Sequence, residues 1–297
     1  MLDDDSQRSA FYAIENGLVE SDIVPGIEVN YLQIPALIQA SGTDQFNYTQ
    51  TSLNGVVLAR ENGGLDLRVV AYALAHSGGG LAIYTREDSD ISSPADLTGH
   101  TLATPSFGST GTLEAQLVLA DKYDLDAALE GGAVSWVELD PPTTLNALKS
   151  GDIDAALMWH QGGWNASNDP ELTKIAAIDQ DFKEIANGAW PIGVAVVANG
   201  EFVDANLECV NEFQRMYAES VAYAEENHAD FAEEISATSG VPVEFIDYWW
   251  DDSHYMYGGV VDDEWLGYAD EFYKLAADQG FIPVYPDVDE ITVIPGN

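Results

Sequence analysis

The segment Pro105-Ser106-Phe107-Gly108-Ser109-Thr110-Gly111-Thr112 carries the sharpest chemical signal in the chain, with small residues and two glycines between a strand-like and a helix-like stretch. Backbone N–H groups at a helix N-terminus lack intrahelical partners, and the helix dipole favours negative charge beyond them. With the hydroxyls of Ser109, Thr110 and Thr112, such a turn suits a carboxylate, sulfonate, nitrate or phosphate group. The same residues make an ordinary N-cap with a tight turn, and composition does not choose between the two. No Gly-Lys-Ser/Thr follows, so this is not a Walker loop.

A second segment, Trp159-His160-Gln161-Gly162-Gly163-Trp164, reads as a strand end entering a loop. An indole there can stack on a planar or cationic ligand while His or Gln fixes its orientation; a packed Trp with one satisfied N–H is the alternative. Trp190-Pro191, Tyr72 and His76-Ser77 are further candidates. Gly-x-Ser-x-Gly, His-Glu-x-x-His and Gly-x-Gly-x-x-Gly do not occur. The five histidines (76, 100, 160, 228 and 254) are scattered, and no metal site or cofactor is expected. The single Cys209 excludes an intramolecular disulfide and reads as a small buried hydrophobe in a helix. Carboxylate pairs such as Asp262-Asp263 read as solvated surface.

The elements that would position these residues alternate. Helical patterns fall at Asp5–Asn16, Pro35–Ala40, Ser52–Glu61, Thr110–Tyr123, Thr143–Lys149, Asp204–Asn227 and Trp265–Gln279. Strand patterns fall at Ile27–Leu32, Asp44–Thr49, Leu67–Leu74, Leu81–Thr85, Thr101–Thr104, Val134–Leu139, Ile153–Trp159 and Ile192–Ala198. The alternation predicts an α/β protein with a largely parallel sheet. A weak repeat aligns Leu37–Gln50 with Leu145–His160, each a helix, a Ser-Gly turn and a strand. It would put Gln50 and His160 at equivalent strand ends, beyond which ligands bind in open α/β sheets.

Composition bounds the partners. The 297 residues, 46% hydrophobic, suffice for two lobes. Against 51 acidic side chains stand 10 basic ones, a net charge of -41 spread along the chain. With no basic stripe, nucleic acid is not an expected partner. Repulsion of this size destabilises a compact state in dilute salt and is screened in molar salt, which suggests a halophilic protein. No apolar run is long enough for a transmembrane helix. The sequence near Met1 lacks a signal-peptide pattern, so either a cytoplasmic protein or a trimmed mature domain is expected.

The run Ser89–Thr110, containing Pro94-Ala95-Asp96-Leu97-Thr98-Gly99 and Pro105-Ser106-Phe107-Gly108-Ser109-Thr110, resembles a signature of NitT/TauT-type substrate-binding proteins of ABC importers. Pro141–Ala156 is similar to that family's second signature, and Gly267–Pro283 to its C-terminal helix and tail. The resemblance implies a type II periplasmic-binding-protein fold: two α/β lobes (1–84 with 196–297, and 85–195) joined by a two-crossing hinge, with the solute held in the cleft. It implies a non-enzymatic, monomeric solute-binding subunit at the extracellular face, secreted or lipid-anchored, that delivers nitrate, a sulfonate, taurine or a thiamine-pyrimidine-like solute to a permease with its ATPase. The ligand contacts it implies are Gln50, Thr51, Ser52, His76, Ser77, Ser109, Thr110, Gly111, Trp159, His160 and Trp190. Against that pattern, the family's first strand and signal sequence are not expected in the sequence as read from Met1. The chain also lacks a cation on any implied contact, Arg8, Arg60, Arg68 and Arg86 being nearest in sequence. A thiamine-pyrimidine synthase-like enzyme and a ligand-sensing domain are the rival readings; the first uses a Cys-rich motif that one cysteine cannot supply.

Overall fold

The computed structural model describes residues 1, 5–32, 37, 40, 43, 45–251 and 255–296. Along the chain run α1 (Asp5–Glu15), β1 (Thr49–Thr51), α2 (Leu53–Gly63), β2 (Leu67–His76), β3 (Ala82–Arg86), a 3-10 turn (Pro94–Leu97), β4 (Thr101–Thr104), α3 (Thr110–Asp121), β5 (Ser135–Glu138), α4 (Pro141–Ser150), β6 (Ala155–Met158) and α5 (His160–Ser167). There follow β7 (Leu172–Ala177), α6 (Ile178–Ile185), β8 (Ile192–Asn199), α7 (Gly200–Ala205), α8 (Leu207–Ser239), α9 (Val243–Asp251), β9 (Tyr255–Val260), α10 (Asp263–Asp278) and α11 (Val288–Ile291). The chain divides into two compact units. The first comprises Met1–Ala75, Ile192–Gly267 and Pro286–Asn297; the second comprises His76–Pro191 and Tyr268–Tyr285.

The first unit is built on a four-stranded sheet in the order β1-β8-β2-β9, in which β8 runs antiparallel to both β1 and β2. Its core joins Phe11 and Ile14 of α1, Val70 and Ala73 of β2, Val196 of β8, and Val210, Phe213, Tyr217 and Val221 of α8. These α8 residues recur at helical spacing and form one apolar stripe. The stripe continues through Phe231, Ala232 and Ile235, all buried. For that reason α8 runs on to Gly240 (φ +78) instead of ending near Asn227.

The second unit holds a five-stranded sheet in the order β5-β4-β6-β3-β7. Strand β4 is parallel to β5 and β6, whereas β3 is antiparallel to β6 and β7. Both sheets therefore depart from the largely parallel arrangement expected. Parallel neighbours need long crossovers, which α3 and α4 supply for β4, β5 and β6; β3 and β8 run counter to their neighbours. Helix α3 is buried from Thr110 through Leu119, as befits a helix packed on all sides. Helix α4 is capped by Asp140, whose side chain accepts from Thr143 N, and closes at Gly151 in the left-handed region (φ +82). Because a Cβ is disfavoured there, Gly151→Ala is expected to cost about 1 kcal/mol in chemical denaturation. An unchanged midpoint would refute the cap assignment.

Other expectations meet the structure unevenly. Ile27–Leu32 forms no named strand, although Ile27 and Val29 lie half-buried against the first unit's core. The expected helix Pro35–Ala40, its Ser41-Gly42 stop and Asp44 lie outside the described residues except Leu37 and Ala40. The stretch from Trp159 is helix α5, not a loop. Both of its glycines sit within the helix, where a Cβ on Gly163 would make ordinary contacts with Met158 O at 3.5 Å and Gly80 O at 3.6 Å. Cys209 is half-buried.

Candidate functional site

In the second unit the Pro105–Thr112 turn is held by its own hydrogen bonds. Ser109 caps α3, its Oγ accepting from Thr112 N at 3.2 Å. Ser109 Oγ and Thr112 Oγ1 both donate to Ser106 O, at 2.9 and 2.7 Å. Thr112 Oγ1 also lies 2.6 Å from Thr104 Oγ1, tying the helix start to the end of β4. The amide of Phe107 donates to Glu138 Oε2 at 2.7 Å and that of Gly108 to Ser106 Oγ at 3.3 Å. Two of the three hydroxyls expected to face an anion, those of Ser109 and Thr112, are thus engaged inside the turn, which is an elaborate N-cap. The turn also exposes one aromatic ring: Phe107 is 37% exposed.

Ser109, Thr110 and Gly111 lie on α3 or its cap, Trp159 and His76 pack beside them, and His160, Ser77 and Trp190 adjoin these in sequence or backbone. Gly111 lies under the Trp159 ring, where an added Cβ would be 3.4 Å from Cζ3. Trp159 is half-buried in extended backbone (φ -147, ψ 177) as the cap residue of α5. The next residue, His160, opens α5 with φ +57, a conformation uncommon outside glycine and often found at functional sites. The His76 ring centroid is 6.3 Å from that of Trp159, and Ser77 follows it, also buried. Ser109 and Thr110 hold the same helix end. Trp190 connects through backbone, since Pro191 O accepts from His76 N at 2.8 Å. Lys183 Nζ lies 4.0 Å from the Trp190 ring centroid, a cation–π contact.

Gln50, Thr51 and Ser52 belong to the first unit. Gln50 is buried within β1 and donates to Gln7 Oε1; it sits inside its strand, while His160 lies two residues past the end of β6. Ser52 caps α2, accepting from Gly55 N at 3.0 Å. Tyr72 is a core residue, its hydroxyl 2.9 Å from Thr292 Oγ1.

Sequence reasoning missed two buried carboxylates beside the candidate contacts. Glu114, on α3, is fully buried with Oε2 3.3 Å from His76 Nδ1, and its Oε1 has no hydrogen-bond partner among the described residues. Asp179, on α6, is fully buried, and its Oδ2 accepts from Gly79 N at 2.9 Å and Gly80 N at 3.1 Å. Burial pushes both carboxyls above their ordinary values; contact with His76 opposes this at Glu114, as do the backbone donors at Asp179. The available signal was placement: Glu114 lies three residues after Gly111, on the same helical face. The arginines nearest the expected contacts in sequence have other partners. Arg60 and Arg68 pair with Asp66, Arg86 donates to Leu148 O and Ile153 O, and Arg8 lies over Tyr31. No group of three or more possible metal ligands occurs among the described residues.

A family profile described as NMT1/THI5-like matches residues 24–230, well over half of the chain. The chain belongs to the NMT1/THI5-like family. Comparison with curated protein sequences gives no match. Among solved structures, the periplasmic aliphatic sulphonate binding protein SsuA from Escherichia coli superposes with a TM-score of 0.72 at 16% identity, covering 99% of this chain and 89% of SsuA. The alkanesulfonate-binding SsuA from Xanthomonas axonopodis pv. citri, solved bound to MOPS, gives 0.71 at 16% identity over 98% and 96%. The desulfurization enzyme DszB gives 0.63 at 13% identity over 99% and 94%. This NMT1/THI5-like chain thus has the periplasmic-binding-protein fold expected from its motifs, a fold that also carries an enzyme.

Proposed function

We propose that this NMT1/THI5-like protein is the solute-binding subunit of an ABC importer, not an enzyme. It would act as a monomer at the extracellular face and hand its solute to a permease driven by an ATPase. The observation that carries the reading is the family match joined to fold likeness with sulfonate-binding proteins over nearly the whole chain. No helix among the described residues is long and apolar enough to cross a membrane, which suits a subunit that works beside a separate permease. The proposed ligand contacts are His76, Ser77, Ser109, Thr110, Gly111, Trp159, His160 and Trp190 in the second unit, and Gln50, Thr51 and Ser52 in the first.

The solute class extends from nitrate and sulfonates through taurine to thiamine-pyrimidine-like heterocycles. Within it, the engaged hydroxyls of Ser109 and Thr112 and the indole of Trp159 favour a solute with a planar face over a bare oxyanion. Thermal-shift screening in molar KCl against nitrate, methanesulfonate, taurine and 4-amino-2-methylpyrimidine tests this, with calorimetry on any hit. A hit is expected to lose at least about tenfold in affinity in Trp159→Ala, the scale of an aromatic anchor. Unchanged affinity in both Trp159→Ala and a Ser109/Thr110 double alanine variant would remove these residues from the site.

The enzyme reading draws on one observation, the His76–Glu114 pair, which resembles an acid–base dyad. Its expected signature is turnover of a bound solute that ceases in His76→Gln. Recovery of the solute unaltered after prolonged incubation favours transport.

A further inference from the structure

We propose that Lys183 is an anion-binding residue of the second unit, its ammonium held on the Trp190 ring with its N–H bonds left for the sulfonate or carboxylate group of an organic monoanion. That this anion is the transported solute rests on the solute-binding reading above; the anion site itself does not.

The local fold brings the two side chains together. Helix α6 ends at Ile185, and the chain turns back through Asn187 (φ +52) and Gly188 (φ +95). Gly188 N donates to Lys183 O at 3.0 Å and Ala189 N to Ala186 O at 2.8 Å, which pins the turn to the end of the helix. Positive φ is uncommon outside glycine, and asparagine tolerates it better than most residues. The Asn187 side chain anchors the turn by donating to Glu271 Oε2 on α10 at 3.1 Å. Trp190 thus returns against the helix end, with Lys183 Nζ 4.0 Å from its ring centroid, and both residues are half-buried. Directly beyond, Pro191 O accepts from His76 N, so the pair adjoins His76 and Ser77 through the backbone. Lys183 is remote from every implied contact by simple order along the chain, and only this turn puts it on one.

The ammonium has no counterion within the described protein. The chain has five lysines. Lys122, Lys149 and Lys274 hold carboxylates, and Lys174 donates to Gly79 O. Among the described residues Lys183 makes neither an ion pair nor a side-chain hydrogen bond; its contact is the indole. Carboxylates are near in sequence, since α6 itself carries Asp179, Asp181 and Glu184. Each has another partner: Asp179 accepts from Gly79 N and Gly80 N, and Asp181 and Glu184 pair with Lys122. Glu271, across the turn, accepts from Asn187. A lysine in the last turn of a helix also complements the helix dipole, but that role needs no aromatic support. An indole face orients an ammonium without using any of its three donors. Lysine acts as a compact point charge, so one anionic group balances it, and the surrounding excess of acids repels a second. Within the proposed range of solutes, this favours the sulfonates, taurine included, over a neutral pyrimidine.

The test titrates the full chain in molar KCl by calorimetry, with methanesulfonate as the anionic probe and 4-amino-2-methylpyrimidine as the neutral one. Chloride serves as a further probe through its NMR line width. Lys183→Met keeps the aliphatic stem and removes the charge. It is expected to bind methanesulfonate at least about tenfold more weakly, with the melting temperature and any affinity for the pyrimidine nearly unchanged. Lys183→Arg keeps the charge and is expected to restore methanesulfonate binding to within about threefold of wild type. Chloride broadening by wild type is expected to fall when methanesulfonate is added and to be smaller in Lys183→Met. Methanesulfonate affinity that is unchanged in Lys183→Met overturns the proposal, as does an equal loss of both probes, which marks a packing role. Failure of both probes to bind wild type tells against the solute-binding reading. The chloride line then decides Lys183 by itself: broadening lost in Lys183→Met upholds the anion site, and equal broadening in the two proteins overturns it.

Discussion

The melting temperature of this protein is expected to rise by on the order of 10 °C between dilute buffer and molar KCl. The chain carries 51 acidic and 10 basic side chains, so most carboxylates have no cation to meet. Those cations that exist are already engaged. Lys122 holds Asp181 and Glu184, Lys149 holds Asp169 and Glu171, Arg215 holds Glu212 and Glu219, and Arg68 holds Asp66 and Asp204. Salt weakens these pairs, but exposed pairs contribute only about 0–1 kcal/mol each. The repulsion it removes sums over a net charge of -41. Screening at about 3 Å leaves little of that sum, so the gain exceeds the loss. Circular dichroism melts across a KCl series measure it; a flat or falling melting temperature would refute the screening argument and the halophilic reading with it.

Much of the fold was legible because its signals are local. Ser52, Ser109 and Asp140 act as N-caps and Gly64 and Gly151 close their helices, because these residue types satisfy orphan backbone groups or adopt positive φ. The misreadings have physical causes. Gly162-Gly163 suggested a loop, yet both glycines lie within α5. Strand direction in β3 and β8 depends on pairing across long sequence separations, which local pattern does not encode. The Ser109 and Thr112 hydroxyls were visible as chemistry, but the folded turn uses them itself. Glu114 and Asp179 were hidden by composition. Among so many acidic residues the ordinary expectation is a solvated carboxylate; Glu114 is marked in the sequence only by its place one helical turn after Gly111, and nothing short of packing separates Asp179 from the rest.

Asp179→Ala is expected to destabilise the protein by about 3 kcal/mol, because it strips two buried backbone donors of their acceptor at about 1–3 kcal/mol each. Those donors, Gly79 N and Gly80 N, belong to a turn in which Gly78 and Gly79 have φ of +58 and +90, directly after His76 and Ser77. Relaxing the turn would also displace His76, so solute affinity should fall with stability. Asp179→Asn separates the two effects: its amide oxygen can still accept from both glycines, while the charge is removed. Burial raises the Asp179 carboxyl in the folded state, so the folded chain binds this proton more tightly than the unfolded one. The stability linked to that proton is complete below the unfolded value and is lost as pH rises through the folded one. Asp179→Asn should therefore flatten the decline in stability across that window, while Asp179→Ala lowers the curve at every pH. Urea denaturation across a pH series in molar KCl distinguishes them. Equal losses in both variants would mean that the charge of Asp179, not its support of the glycine turn, is what the fold requires.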